Sequence, residues 1–436
     1  MRIAIIGAGI AGVTTAYECA ADGHQVTVFE RRGSVAAEGS FANAGLTAPG
    51  LSFPWGQVKW PALGGGAKLA WGWQRWRAGR SKQQGVLQER LLKLALFSSA
   101  RQMELRRSLQ MDYERACGTL VLLRSERDLN AAQTGLDLLT PWGLSAQVLT
   151  AEQCRGIEPG LNPDMRLHGG VQLGQGESGN CRQFAHLIRG AAQRLGAQFR
   201  FHTTVRSLTP GIPAKLVHEY TPPPDSLPDP SRQSELRDGN DDTRPAPLGR
   251  KEDCFDAIII CTGAAATELL RALKLKPALT QIQGYSITAP LRQLEAHPEL
   301  GPQAAVFDQQ RQISIGRIGQ RIRVAGGIAP ATASERARKS TLASLHQALD
   351  DWFPGSMQST AVQHWQGSQA LAADGLPLLG ACARDGIWLN LAQGSATTLG
   401  WPLACGAARV LAEQVSGRQA SADLPDITGL DIGRCA

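Results

Sequence analysis

The sequence predicts an α/β fold that joins a parallel-sheet domain to a domain of antiparallel β-sheet plus helices, on three observations. Residues 2–30 read as strand, glycine turn, helix and strand. Apolar and polar residues alternate at Ala305–Phe307, Gln312–Arg317 and Arg321–Ala325, with "GRIGQR" as a hairpin turn. Helical periodicity over Ser334–Trp352, stopped by Phe353-Pro354-Gly355, supplies a helix to cover that sheet.

Composition bounds the rest. A chain of 436 residues, 43% of them hydrophobic, can bury the cores of two domains. Lys and Arg number 45 against 38 Asp and Glu, and the net +7 is dispersed, which favours an anionic ligand or surface but does not argue for nucleic acid. The nine cysteines are odd in number and scattered, with no Cys-x-x-Cys and no Cys/His pair at metal spacing, so reduced thiols, no metal and a cytoplasmic location are expected. The apolar start "MRIAIIGAGIAGV" carries recurring glycines rather than a signal-peptide core, and no apolar run approaches the roughly 20 residues that span a bilayer.

Taken in order, Arg2 to Ile6 reads as a buried strand, Ile10 to about Asp22 as a helix and Gln25 to Phe29 as a second strand. Gly7, Gly9 and Gly12 form G-x-G-x-x-G. The first permits a tight turn, the second lets a pyrophosphate approach the backbone, and the third lets helix and strand pack closely. Ile10 and Ala11 open the helix, whose free N–H groups and positive dipole end suit phosphate. Glu30, followed by Arg31, closes the second strand where a carboxylate accepts hydrogen bonds from a ribose diol, and its charge disfavours the 2′-phosphate of NADP. The unit is Rossmann-like. FAD and NAD share this fingerprint.

The next segment separates them. Ala42-Asn43-Ala44-Gly45-Leu46 lies in a small-residue loop where an NAD-only enzyme would normally continue with a further helix and strand. "SFANAG" resembles the flavin-side loop of the D-amino-acid oxidase superfamily, and more closely that of the bacterial D-amino-acid dehydrogenase small-subunit family. "GESGNCRQFAHLIRGAAQRLGAQFRFHTTVRSL", "DAIIICTGAAATELL", "IQGYSIT", "ISIGRIGQRIRVAGG", "DGLPLLG" and "TTLGWPLACGAARVLAEQVSG" follow in that family's order. The resemblance implies FAD, with Val205 facing the adenine by its backbone, Thr262 and Gly263 at a returning turn, and Gly394, Thr397, Thr398, Leu399 and Gly400 beside the flavin. It also implies a discontinuous FAD-binding domain (1–50, 176–208, 254–275 and 360–436) with a substrate domain (51–175 and 276–359) threaded through it. Residues 209–253, rich in Pro, Asp, Arg and Ser, read as a polar surface insertion that is flexible or irregular.

The chemistry that follows is oxidative deamination of an amino acid, by hydride transfer from Cα to flavin N5. It needs a neutral amine but no dedicated base, and the eight histidines are dispersed. What it needs is a cation for the substrate carboxylate. Where much of the superfamily has a Gly-Leu-Arg-Pro run, this chain has Gly367-Ser368-Gln369-Ala370, so Gln369 stands at the arginine position, and Gln393 stands at a family histidine position. Tyr285 and Arg317 match family positions on strands lining the substrate side and form the expected clamp, against the alternative that each is an ordinary strand residue. Another amine or a secondary amino acid as substrate, or a non-catalytic FAD-binding paralogue, are the rival readings.

Phe53 to Gln84 holds five of the ten tryptophans beside Lys59, Lys68, Arg75, Arg77, Arg80 and Lys82, with no acid. Such a mixture suits an anionic membrane surface, and the resemblance implies a peripheral protein on the inner face of the membrane passing electrons to a respiratory quinone, or else to oxygen. The other reading is a substrate-domain helix with buried rings and exposed cations. No single-strand-binding module is visible, so nucleic acid is not an expected partner.

Overall fold

A computed structural model describes all residues except 53–70, 74, 78–82, 223–248, 278, 293–294, 296–298, 395–399, 419–421 and 436. A six-stranded sheet runs in the order Leu378–Ala381, Ile387–Leu391, Ala257–Ile260, Arg2–Ile6, Gln25–Phe29, Gln198–Arg200. All neighbours in it are parallel except Leu378–Ala381 with Ile387–Leu391. Being covered on both faces, its strands are nearly continuous apolar runs. Ile3, Ile5, Val26 and Val28 enter the core under the helices Ile10–Ala21, Cys181–Arg194 and Trp401–Val415. Ala4, Ile6, Ile258 and Ile260 enter the core on the other face, with Leu216 and Phe255.

Those last two residues come from a three-stranded antiparallel sheet of Thr203–Thr209, Ala214–Tyr220 and Lys251–Phe255. The insertion is therefore not irregular throughout: 214–220 and 251–253 are paired strands, because Ala214, Leu216 and Phe255 bury one face of the ribbon. Its centre, 223–248, lies outside the described residues.

The second sheet has eight strands in the order Gln363–Ala372, Leu279–Pro290, Arg321–Pro330, Ile313–Ile318, Ala305–Asp308, Ala116–Leu123, Gly169–Ser178, Ala146–Thr150. Every neighbouring pair is antiparallel except Ala305–Asp308 with Ala116–Leu123. The hairpin turns at Gly319-Gln320, with Ile318 opposite Arg321 and Gly319 at φ +57°. The helix Glu335–Trp352 is capped by Ser334, which accepts from Ala337 N–H, and it buries Leu345, Ala348, Leu349 and Trp352 against this sheet. Gln363–Ala372, placed with the FAD domain from sequence, is an edge strand of this second sheet.

Three helices are locked together by one carboxylate. Glu18, on Ile10–Ala21, is wholly buried and accepts from Arg101 Nε and Nη2 of Gln84–Ser108, both at 2.9 Å. Arg409 Nη1 of Trp401–Val415 reaches the same carboxylate at 3.2 Å.

Candidate functional site

A cavity of about 310 Å³ opens at the carboxyl ends of the parallel strands, between Gly7, Glu30, Cys261 and Ala392. That is where open α/β sheets bind ligands. The three fingerprint glycines differ in surroundings. Gly7 has φ +99° and a Cβ there would lie 2.7 Å from Cys261 O, while a Cβ on Gly12 would lie 1.9 Å from Gly7 O. A Cβ on Gly9 would meet only Ser40 Oγ, at 3.5 Å, and otherwise face the cavity. The first and third are thus required by the fold and the second by whatever occupies the space.

Ile10 and Ala11 line the cavity, and Ile10 N–H donates to Ser40 Oγ at 3.1 Å. Ser40 is a site residue that sequence reasoning missed, although it opens the small-residue loop. Glu30 accepts from Ala8 N–H and Arg32 N–H, each at 2.7 Å, so the glycine turn itself aims the carboxylate. Burial pushes its pKa up, opposed by those two backbone bonds. Arg31 turns to Glu38, with Nη2 2.6 Å from Oε2. Val205, Thr262, Gly263, Gly394 and Gly400 all line the cavity, and Thr262 Oγ1 is buried without a hydrogen-bond partner. Thr397, Thr398 and Leu399 lie outside the described residues.

The loop 42–46 is pinned between the two sheets. Ala42 O accepts from Ser286 Oγ at 2.6 Å, and Asn43 O from Arg323 Nη1 at 3.3 Å. Asn43 Oδ1 accepts from Gly45 N–H at 3.1 Å, and Ala44 is buried behind it. Gly45, at φ +69°, approaches Gly179 O so closely that a Cβ would lie 2.6 Å from it, and Leu46 bridges to Ser178.

Two expected site residues face elsewhere. Successive strand residues point to opposite faces, and Ser286, Thr288 and Arg323 take the face toward the loop. Tyr285 and Ile287 consequently pack in the core beneath the helix Glu335–Trp352, where the Tyr285 hydroxyl donates to Gln283 Oε1 at 3.2 Å and burial raises its pKa. Arg317 shares that outer face with Ile313 and Ile315, donates through Nε to Gly319 O at 3.1 Å, and acts electrostatically on buried Glu158. The expected Tyr285 and Arg317 clamp is therefore not assembled with Gln369. A cation on the loop side is Arg323, 5% exposed, which also donates through Nε to Thr288 Oγ1 at 3.0 Å; burial pushes its pKa down to about 10.

Gln369 and Gln393 do come together. Both line the cavity, and a Cβ on Gly394 would lie 2.5 Å from Gln369 Oε1. Gln393 Nε2 donates to Asn390 Oδ1, and Asn390 Nδ2 donates to Thr15 Oγ1 at 3.0 Å. Among the described residues, no group of three His, Cys, Asp or Glu could hold a metal ion. Open backbone at Gly9, a carboxylate at Glu30, a helix N-terminus and a pinned loop of small residues fit a flavin dinucleotide. Glu30 would take the ribose and the open backbone at Gly9 the pyrophosphate, whereas the expected flavin-side loop 42–46 is buried and is not among the residues lining the cavity.

The comparisons with known proteins agree. Residues 2–414 match the family model described as FAD dependent oxidoreductase. The D-amino acid dehydrogenase of Bradyrhizobium diazoefficiens is 30% identical over 448 residues, covering 98% of each chain. That of Cereibacter sphaeroides is 32% identical over 459 residues, covering 99% of this chain and 94% of its own. Among solved structures, glycine oxidase from Geobacillus kaustophilus superposes with a TM-score of 0.68 at 19% identity, over 99% of this chain and 98% of its own. L-proline dehydrogenase from P. horikoshii gives 0.68 at 14%, over 99% and 97%. These last two likenesses carry the fold. With its cradle geometry and a family match over nearly its whole length, the chain belongs to the FAD-dependent oxidoreductases of the D-amino-acid oxidase (DAO) family.

Proposed function

We propose that the protein oxidises the C–N bond of an amino acid or a closely related amine to an imine, which water then hydrolyses to a carbonyl compound and ammonia. The observation that carries this reading is the continuity of one cavity from the dinucleotide turn at Gly7 and Gly9 to the polar side chains of Gln369 and Gln393. Relatives named D-amino acid dehydrogenase support it. When bound, the flavin supplies the two-electron acceptor for the hydride leaving the carbon that bears nitrogen. The chain's own part is positioning. Ser286 and Arg323 hold the carbonyls of Ala42 and Asn43, which fixes the path of the small-residue loop. No histidine is among the described residues lining the cavity, which suits a reaction whose amine loses its proton to water.

Anaerobic mixing with a panel of D- and L-amino acids, proline analogues and N-methyl glycine derivatives tests the proposal. At least one should bleach the flavin absorbance near about 450 nm. If dithionite reduces the flavin and no amine does, the protein is a non-catalytic FAD-binding relative.

The electron acceptor we place at an anionic membrane surface. Trp73 and Trp76 are 56% and 54% exposed, and the Arg77 guanidinium lies 5.6 Å from the Trp73 ring centroid. Rings at headgroup depth beside cations suit lipid phosphates, and no helix among the described residues is long and apolar enough to cross a membrane. Cosedimentation with anionic vesicles should be lost in a Trp73→Ala/Trp76→Ala variant. Equal binding to neutral vesicles would contradict the placement.

A further inference from the structure

The cavity carries an unusual pair. Gln369 Nε2 and Gln393 Oε1 are both buried and have no hydrogen-bond partner. One is a donor and the other an acceptor, and they flank the same space. Gln393 is 8% exposed and its amide is oriented by Asn390, so its oxygen is fixed rather than free to turn away. A buried polar atom without a partner is costly, and a ligand that satisfies it gains accordingly.

Charge around the cavity decides what that ligand is. The two cations among the described lining residues, Arg31 and Arg206, are paired with Glu38 at 2.6 Å and Glu219 at 3.0 Å. Arg31 follows Glu30 directly in the chain, and residues 395–399, Ser-Ala-Thr-Thr-Leu, carry no charge. Arg317 is on the outer face of the second sheet, and Arg323 is engaged with Asn43 and Thr288. A carboxylate is acceptor-only. Placed here it would be satisfied by Gln369 Nε2, but would turn its negative oxygens on Gln393 Oε1 with no cation to offset its desolvation. A primary carboxamide offers a carbonyl to Gln369 Nε2 and an N–H to Gln393 Oε1, and it brings no charge into the cavity.

We infer that Gln369 and Gln393 form a head-group site for an uncharged carboxamide, so that the amine oxidised is an amino-acid amide or a similarly amidated compound rather than a free amino acid. The inference rests on the oxidoreductase reading above, and its test is arranged to be read without turnover. The holoprotein is titrated with 2-aminoisobutyramide and with 2-aminoisobutyrate, following perturbation of the flavin's visible spectrum. The two share one skeleton, are achiral and carry no hydrogen on Cα, so neither can be dehydrogenated there. The amide is expected to bind at least about 10-fold more tightly, and Gln369→Arg is expected to reverse the preference. Tighter binding of the acid by the wild type, no perturbation by either ligand, or an unchanged ratio in Gln369→Arg would each overturn the inference. If Gln369→Arg fails to retain flavin, Gln393→Leu decides: it removes the acceptor for the amide N–H, so the ratio should fall toward unity, and an unchanged ratio sinks the proposal. Substitutions that shift the flavin spectrum while leaving the ratio alone would place the two amides against the cofactor instead, and overturn it equally. Flavin reduction by alaninamide is read separately. Selective binding of the amide without reduction by any amine would contradict the proposed reaction while supporting the head-group site.

Discussion

Gly9→Val is expected to yield a folded, colourless protein. The Cβ at this position meets nothing but Ser40 Oγ at 3.5 Å, so the protein itself has room for a larger side chain. The space it fills is where a pyrophosphate must approach the N–H groups at the start of the helix Ile10–Ala21. Flavin affinity should fall at least about 100-fold, which is ~2.7 kcal/mol, while the far-ultraviolet spectrum and the urea midpoint of the apoprotein stay unchanged. Gly12→Ala separates the two roles, because its Cβ would lie 1.9 Å from Gly7 O and strikes backbone rather than a flexible side chain. That variant should lose stability in the apoprotein, where Gly9→Val does not. Equal flavin retention by Gly9→Val and the wild type would remove the cavity from consideration as the dinucleotide site.

Glu18→Ala has the largest expected effect on stability. Glu18 is fully buried, and its removal leaves Arg101 and Arg409, whose side chains are 17% and 13% exposed, facing one another across three helices. Breaking a buried ion pair from one side typically costs about 3–5 kcal/mol, because the remaining charge stays desolvated. Arg409 keeps Asp22 at 2.8 Å and Arg101 keeps Glu104 at 2.7 Å, which places the expected loss at the lower end. The check is a lower denaturant midpoint with an unchanged slope. A midpoint equal to that of the wild type would show that the arginines find other partners.

Local features of the fold were legible in the sequence. The first strand, helix and strand lie within a residue of their expected limits, because their apolar periodicity and glycine turn are short-range signals. The hairpin at Gly319 and the helix Glu335–Trp352 were readable for the same reason. The strand faces were not. Tyr285 and Arg317 lie one residue from Ser286 and two from Gly319, on strands buried on both sides, where alternation is visible but nothing local says which face meets the other domain. A step of one residue exchanges the faces, and so Tyr285 points into the core beneath the helix and Arg317 takes the same outer face, while Ser286 and Arg323 take the loop side. Arg323 carries a cue only in retrospect: it stands opposite Gly316 across the hairpin, on the face that Gly45 approaches through Ile318.

Ser40 and the Gln369–Gln393 pair were hidden by distance along the chain. Ser40 reaches back to Ile10 across the glycine turn, and Gln369 meets Gly394 from the edge strand of the other sheet. The strand 214–220 pairs with its near neighbour 203–209, but its other partner, 251–255, lies beyond the polar stretch, which masked that pairing. That Gln369 stands at a family arginine position could be read from the resemblance, but not that it would line one cavity with Gln393.

The visible spectrum of the purified wild-type protein, with the cofactor released by denaturation and weighed against protein, tests the central claim most directly. The account predicts a yellow protein with a band near about 450 nm and FAD released in an amount equal to the chain. A colourless protein that still oxidises an amine would contradict it.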